Sequence, residues 1–132
     1  MPKTVLIVDD SAFMRNLMKD SLAKAGYEIA GEAGSGETAI ERFRELKPDL
    51  VTLDLVMLGK GGLQALNEIL FLDPTAKVLM VSAMGQEELV TESIRSGAKG
   101  FIIKPFKPEG LLAEVKRVLD EDGKESPRLG RR

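Results

Sequence analysis

The sequence predicts an α/β domain in which a parallel sheet of five strands lies between two layers of helices. Apolar strand patterns alternate with amphipathic helix patterns five times, and the connections between them are short. The composition agrees, because 43% hydrophobic and 30% charged residues are typical of a globular protein. A chain of 132 residues suffices for one domain and is too short for two of ordinary size.

The strands are short runs of aliphatic and β-branched residues bounded by turn-forming residues. The first run, at residues 4–8, is almost continuously apolar, which is typical of a strand buried on both faces of its sheet. The five strands are predicted at residues 4–8, 28–33, 50–53, 77–81 and 101–103.

The helices follow from apolar residues at helical spacing and from residues that begin or end a helix. Gly26, Pro74 and Gly97 end the first, third and fourth helices, Ser35 is the predicted N-cap of the second, and the fifth begins near Pro108. The residues predicted to face the sheet are Met14, Leu17, Met18, Ser21, Leu22 and Ala25 in the first helix, Ala39, Ile40, Phe43 and Leu46 in the second, Leu63, Leu66, Ile69 and Leu70 in the third, Val90 and Ile94 in the fourth, and Leu112, Val115 and Leu119 in the fifth.

Strict alternation with short connections requires parallel strands joined by right-handed crossovers. Five such strands fit the flavodoxin-like, doubly wound order 2-1-3-4-5. Residues 1–121 are therefore predicted to form the domain. Residues 122–132 carry four Lys or Arg against two acids and have no periodicity, so they are predicted to be a disordered basic tail or linker.

Residue types that the sequence lacks exclude several kinds of chemistry. Without Cys there is no disulfide or thiolate nucleophile, and without His there is no imidazole base. A net charge of −2 argues against a nucleic-acid-binding face. The apolar runs are strand-length and the first residues carry no signal-peptide pattern, so we expect no membrane partner and a cytoplasmic location.

Polar residues end four of the five predicted strands. Asp9 and Asp10 follow the first, Asp54 the third, Ser82 the fourth and Lys104 the fifth. Each acid or hydroxyl alone is explained as a helix cap, but two adjacent acids exceed what a cap needs, and the lysine caps nothing. Because ligands of open α/β sheets bind outside the carboxyl ends of the strands, these side chains are predicted to form one site.

Three carboxylates brought together repel one another, so either one is protonated or a cation neutralises them. An oxygen-only donor set favours Mg²⁺. Such an ion beside an ammonium group and a hydroxyl is typical of phosphoryl transfer. Asp54, opposite the acid pair, is the predicted nucleophile.

The ordered motifs resemble a known family. They are Val8-Asp9-Asp10-Ser11, Leu53-Asp54, Val81-Ser82-Ala83 and Lys104-Pro105-Phe106. Over residues 3–121 the sequence resembles the receiver domains of two-component response regulators, and among them the single-domain chemotaxis regulators of the CheY type. Residues 12–15 and 82–86 strengthen the narrower resemblance.

The resemblance implies a signalling protein rather than an enzyme. Asp54 would accept a phosphoryl group from a partner histidine kinase. Asp9, Asp10 and Asp54, together with the backbone carbonyl of Val56, would bind Mg²⁺. Ser82 would hydrogen-bond a phosphoryl oxygen, and Lys104 would pair with the phosphoryl group.

The resemblance also implies how the signal leaves the site. A shift of Ser82 would let Phe101 turn inward and rearrange the face formed by the fourth helix, fifth strand and fifth helix. An ordinary core position for Phe101 is the competing interpretation. Downstream partners would be an output protein such as the flagellar motor switch or an adaptor, with a phosphatase as a further partner. The family also implies a cis Lys104–Pro105 peptide bond, and we take a monomer as the default state of the unphosphorylated chain.

One segment departs from the family pattern. Leu58 stands where a proline is usual, and Gly59 and Gly61 add backbone freedom, so we expect a mobile loop with low amide protection at residues 59–62. Val56 and Met84 supply no polar side chain that could orient an attacking water, which predicts slow self-dephosphorylation.

Other classes of protein fit less well. Residues 34–39 match the G-x-G-x-x-A dinucleotide fingerprint, but a dinucleotide site leaves Asp9, Asp10, Ser82 and Lys104 unexplained. The acid pair would repel the phosphate of a flavin mononucleotide. An aspartyl-phosphate phosphatase would need a second acid where Val56 stands. A receiver-fold interaction module that is not regulated by phosphorylation stays open as the alternative.

Overall fold

The strands and helices alternate through the whole described chain, which in this computed structural model comprises residues 1–57 and 59–120. The strands are β1 Thr4–Val8, β2 Glu28–Ala33, β3 Leu50–Asp54, β4 Val78–Ala83 and β5 Gly100–Lys104. The helices are α1 Ala12–Lys24, α2 Gly36–Leu46, α3 Gly62–Leu72, α4 Glu87–Ser96 and α5 Pro108–Asp120. The predicted tail at residues 122–132 and the departure at Leu58 lie outside the described residues.

All five strands are parallel, in the order β2-β1-β3-β4-β5. This confirms the predicted doubly wound topology. Three strands extend further than predicted at their carboxyl ends: Asp54 pairs in register with Val81, Ser82 with Ile103 and Lys104 with Ala83. These three polar residues are therefore held by the sheet rather than by loops.

The hydrophobic core lies on both faces of the sheet, as the continuously apolar strands predict. Val5 and Ile7 of β1 pack with α1 and α5, whereas Leu6 and Val8 pack with the layer that contains α2 and α3. The alternation follows from the two-residue period of a strand. Burial on both faces fixes the strand register and hence the residues that reach the carboxyl edge.

The second helix confirms the predicted N-cap, because the Ser35 hydroxyl accepts a hydrogen bond from the Thr38 backbone N–H at 3.2 Å. Ser11, which was not predicted as a cap, accepts from the Met14 N–H at 3.2 Å in the same way. Gly26 has φ +98°, a conformation that glycine adopts without strain. The Lys104–Pro105 bond is cis.

Three residues predicted to face the core are exposed: Leu17, Leu46 and Ala25, the last of which is the C-cap of α1. Leu17 is 44% exposed, because the buried contacts of α1 are made by Met18 and Leu22. Leu46 is 39% exposed at the end of α2, where its side chain covers Gly31 at the edge of the sheet. Across the described residues, no helix is both long and apolar enough to span a membrane.

Candidate functional site

Three carboxylates meet at the carboxyl edge of the sheet, as predicted. One oxygen from each of Asp9, Asp10 and Asp54 lies within 4.8 Å of the others. Asp9 and Asp54 are buried, whereas Asp10 is exposed at the rim. The parallel topology places them together although the first two are more than forty positions from the third.

Local hydrogen bonds fix the two buried acids. The Asp9 N–H donates to the Ala33 carbonyl at 3.0 Å, and Asp9 Oδ1 accepts from the Ser11 N–H at 2.9 Å. Asp54 is the last residue of β3, and its Oδ1 accepts from the Val56 N–H at 3.4 Å. The acids therefore stand on the rigid part of the fold, with only short local turns beyond it.

Gly62 allows α3 to begin directly against the site. A Cβ atom at this position would lie 2.2 Å from the Asp54 carbonyl oxygen. No side chain fits such a gap without moving the backbone. Glycine at position 62 therefore has a steric reason, which is the close approach of α3 to the end of β3.

Lys104 brings its ammonium group between two of the acids. Its Nζ lies 3.0 Å from Asp9 Oδ2 and 3.4 Å from Asp54 Oδ2. The contact with Asp54 has hydrogen-bond geometry, whereas the contact with Asp9 is an ion pair without that alignment. The lysine that ends β5 thus partly neutralises the carboxylates.

The electrostatics of the site are those of crowded, buried charges. Burial, and next the charge of Asp9, raise the pKa of Asp54 to about 6 from 3.8, although Lys104 acts in the opposite direction. Burial on its own lowers the pKa of Lys104, but the close contact with the Asp9 carboxylate and the charges of both Asp54 and Asp9 outweigh it, so that this pKa is raised. The site therefore favours added positive charge.

Two buried polar atoms at this edge have no hydrogen-bond partner among the described residues: Asp9 Oδ2 and Ser82 Oγ. Ser82 is 1% exposed and follows Val81, the register partner of Asp54. Unsatisfied buried polar atoms are costly and call for a ligand, an ion or water. A hard cation suits the carboxylate oxygen, and an acceptor oxygen suits the hydroxyl, so the residues present fit Mg²⁺ and a phosphoryl group.

A small apolar cavity of about 160 Å³ adjoins Ser82 between β4, α4 and β5. Val90, Phe101 and Ile103 contribute to its lining. Phe101 is half-buried and packs against the core on this side. Its backbone N–H donates to Oε2 of the buried Glu114 of α5 at 3.2 Å. The Phe101 side chain therefore borders this cavity, while the hydrogen bond to Glu114 restrains the Phe101 backbone.

Sequence reasoning did not assign a role to Arg15, although its Nη1 donates to the Asp9 carbonyl at 2.6 Å. It also missed Glu114. The signal available for Arg15 was its place one turn after the Ser11 cap, on the helix that follows the acid pair.

The fold and this edge define a class: a doubly wound α/β protein with an acidic cation site suited to phosphoryl chemistry. The chain matches the response regulator receiver domain family over residues 5–116 and belongs to that family. Receiver domains are phosphorylation-regulated switches of two-component systems, and the relatives of this chain point to chemotaxis.

Individual relatives agree with this assignment. The chain is 52% identical to the chemotaxis protein CheY of Thermotoga maritima, over 89% of this chain and 98% of that protein. It is 45% identical to CheY of Bacillus subtilis, over 91% and 100%. A solved CheX–CheY–BeF3–Mg complex from Borrelia burgdorferi contains a similar chain, with 36% identity, 92% coverage of each chain and a TM-score of 0.88.

Proposed function

We propose that residues 1–121 act as a phosphorylation-activated switch in which Asp54 accepts a phosphoryl group from a partner histidine kinase. The observation that carries the proposal is the meeting of Asp9, Asp10 and Asp54 with Lys104 and the unpartnered Ser82 hydroxyl at one edge. An Asp54 oxygen attacks phosphorus, the donor P–N bond breaks, and its electron pair returns to the imidazole nitrogen. Residues at this edge can then supply the phosphoryl acceptor, the metal ligands and the groups that bind the phosphoryl oxygens.

Asp9, Asp10 and Asp54, with the backbone carbonyl of Val56, would hold Mg²⁺. The bound ion neutralises charge on the phosphoryl oxygens and reduces repulsion between donor and acceptor. The site supports this because its donors are all oxygen and because Asp9 Oδ2 is buried without a hydrogen bond within the described chain.

Lys104 and Ser82 would bind the transferred group. The lysine already lies 3.4 Å from Asp54 Oδ2, so a short movement brings its ammonium to a phosphoryl oxygen. Ser82 has a free hydroxyl beside the end of β3. When that hydroxyl moves to the phosphoryl group, space opens next to the cavity that Phe101 lines, and the ring can turn inward.

The partners follow from this cycle. Phe13, Val56 and Met84, which belong to α1 and to the segments after β3 and β4, are more than half exposed and offer apolar contacts to a kinase. The face of α4, β5 and α5 would bind an output protein such as the flagellar motor switch or an adaptor. The CheX–CheY complex of the Borrelia relative supports a phosphatase partner. We propose that the switch itself is monomeric.

Intact mass after brief incubation with acetyl phosphate tests the proposal. One phosphoryl adduct that needs Mg²⁺ and is absent from Asp54→Asn is the expected result. Asp73→Asn, which alters a half-buried carboxylate at the end of α3 that accepts hydrogen bonds from Thr75, is the control and should keep the adduct. If Mg²⁺ binds but no adduct forms, the chain is instead an interaction module that phosphorylation does not regulate.

A further inference from the structure

We propose that Arg15 is a positioning residue for the metal site: its guanidinium holds the peptide group between Asp9 and Asp10 and so sets the direction of both acids. This inference rests on the proposed function, since it concerns the same Mg²⁺ site. Arg15 is not one of the proposed ligands of the metal or of the phosphoryl group, so its effect would be indirect.

The guanidinium is fixed at two points. Its Nη1 donates to the Asp9 carbonyl oxygen at 2.6 Å, and its Nε donates to Glu32 Oε1 at 2.7 Å. Glu32 lies on β2 and is held in turn by Lys19 Nζ at 2.6 Å from its other oxygen. The Arg15 side chain is 20% exposed. Charge-assisted hydrogen bonds of this kind are strong and directional, so α1, β2 and the end of β1 are joined through one side chain.

The Asp9 carbonyl matters because it belongs to the peptide plane that leads into Asp10. The N–H of Asp9 is fixed by Ala33, and its Oδ1 by the Ser11 N–H. The hydrogen bond from Arg15 to the Asp9 carbonyl oxygen restrains the remaining polar backbone atom of Asp9. Asp10 is exposed, so packing restrains it little, and the fixed orientation of the preceding peptide plane is the restraint that limits where its Cα and Cβ atoms lie.

Gly34 borders the same contact. A Cβ atom at this position would lie 3.4 Å from Arg15 Nη1 and 4.0 Å from the Asp9 carbonyl oxygen. A longer side chain would compete with the guanidinium for this space. The space at position 34 therefore suits a small residue, because a Cβ atom would already be in van der Waals contact with the arginine behind the acid pair.

Positioning and simple charge make opposite predictions about Mg²⁺. Arg15 is a cation near a cation site, so Coulomb repulsion alone predicts that its removal tightens Mg²⁺ binding. If the arginine instead holds the acids in place, its removal weakens binding. Loss of residues that orient metal ligands typically costs 10–100-fold in metal affinity.

Calorimetric titration of Mg²⁺ into the metal-free full chain distinguishes the two. We expect Arg15→Gln to weaken Mg²⁺ binding by ~10-fold and Arg15→Lys, which keeps the charge but loses the fork, to weaken it less. Lys24→Gln is the control, because it removes a cation of the same helix that pairs with the exposed Asp20 and not with Glu32; its Mg²⁺ affinity should stay within about twofold of the wild type.

A spectroscopic measurement separates positioning from general destabilisation. In the metal-free protein, the carbonyl ¹³C resonance of Asp9 and the amide ¹⁵N resonance of Asp10 should shift in Arg15→Gln and stay in place in Lys24→Gln. Should Arg15→Gln fail to fold, Arg15→Lys carries the same test, since it keeps the positive charge and loses the forked hydrogen bonds.

The outcomes are distinct. Unchanged or tighter Mg²⁺ binding in the arginine variants, with a wild type that binds normally, would overturn the positioning role and leave the proposed function intact. A wild type that binds no Mg²⁺ would overturn the proposed function itself. Weaker binding with the two resonance shifts supports the positioning role.

Discussion

At the scale of single residues, Asp54 combines a nucleophilic role with an unfavourable environment. Its carboxylate is almost fully buried, lies beside Asp9 and is only partly neutralised by Lys104. Its pKa of about 6 records the balance, since burial and the neighbouring acid together outweigh the lysine. The proposed roles of Asp54 in metal binding and phosphoryl transfer therefore come at a cost to the stability of the metal-free protein.

The first prediction concerns that cost. From about pH 4 to pH 6 the folded protein retains a proton on Asp54 that the unfolded chain has released, so the free energy of unfolding falls as pH rises through this window. In the absence of Mg²⁺, Asp54→Asn should be more stable than the wild type at pH 7 by about 1–2 kcal/mol, and the difference should vanish near pH 4. Urea unfolding with a chelator present measures it.

The control for this titration is Asp20→Asn, which alters an exposed carboxylate on α1. Its difference from the wild type should change little between pH 4 and pH 7. An Asp54→Asn protein that is no more stable than the wild type at any pH would show that the buried carboxylate is not destabilising.

The second prediction concerns the lifetime of the phosphoryl group. Val56 and Met84 reach the surface with no group that could orient water for attack on phosphorus. We expect Val56→Asn to shorten the phosphoryl half-life by ~10-fold or more, because a positioned polar group assists the attacking water. Loss of the intact-mass adduct with time measures it. Val56→Ala is the control and should leave the half-life nearly unchanged; a wild-type half-life of only seconds would contradict the account.

At the scale of elements, the connection from β3 to α3 is pressed against the start of α2. A Cβ atom on Gly36 would lie 2.5 Å from the Lys60 carbonyl oxygen, and the Lys60 ammonium pairs with Glu68 of α3 at 2.6 Å. The two glycines of the fingerprint-like segment 34–39 therefore border different neighbours. Gly34 lies next to the Arg15 guanidinium, and Gly36 lies against Lys60 in the connection that follows Asp54.

The third prediction tests that packing. Gly36→Ala must displace the backbone at Lys60, so we expect a loss of about 1–3 kcal/mol in the free energy of unfolding and weaker Mg²⁺ binding. Gly110→Ala in α5 is the control, because its new methyl group meets no atom within 4 Å and should stabilise the protein by about 0.5–1 kcal/mol. Denaturant titration of both variants gives the comparison. Equal stability of Gly36→Ala and the wild type would show that the connection yields without cost.

The fourth prediction concerns amide exchange in the same connection. The sequence alone predicts low protection across residues 59–62, but the Gly62 N–H donates to the Leu55 carbonyl at 2.9 Å. We therefore expect slow exchange at Gly62 and fast exchange at Gly59 and Gly61, measured by NMR. Uniformly strong protection would refute the expected mobility, and fast exchange at Gly62 would contradict the hydrogen bond.

The sequence predicts the elements well because each has a local cause. Aliphatic runs produced the strands, and Ser11 and Ser35 cap helices through their own hydroxyls. Boundaries were less predictable: β3 and β4 extend to Asp54 and Ala83 because neighbouring strands supply register partners that the local pattern does not reveal. Leu17 matched the helical spacing but is exposed, since the width of the α1 contact depends on how the helix sits on the sheet.

At the scale of the whole molecule, the gathering of site residues could be predicted because parallel strands in a doubly wound sheet end at one edge. That rule alone predicts the meeting of four side chains that end strands: Asp9, Asp54, Ser82 and Lys104. The bond from Arg15 to the Asp9 carbonyl could not be predicted, because it depends on the direction of a long side chain across three elements. The unpartnered state of Ser82 Oγ likewise depends on packing rather than on sequence spacing.

The central claim is that the assembled edge directs phosphorylation to Asp54 and to no other acid. Borohydride reduction of the acetyl-phosphate-treated protein tests it most directly, because it converts a phosphorylated aspartate to homoserine that peptide sequencing by mass spectrometry locates. We predict homoserine at position 54 alone, and only when Mg²⁺ was present. Homoserine at Asp9 or Asp10, or labelling that is independent of Mg²⁺, would contradict the account.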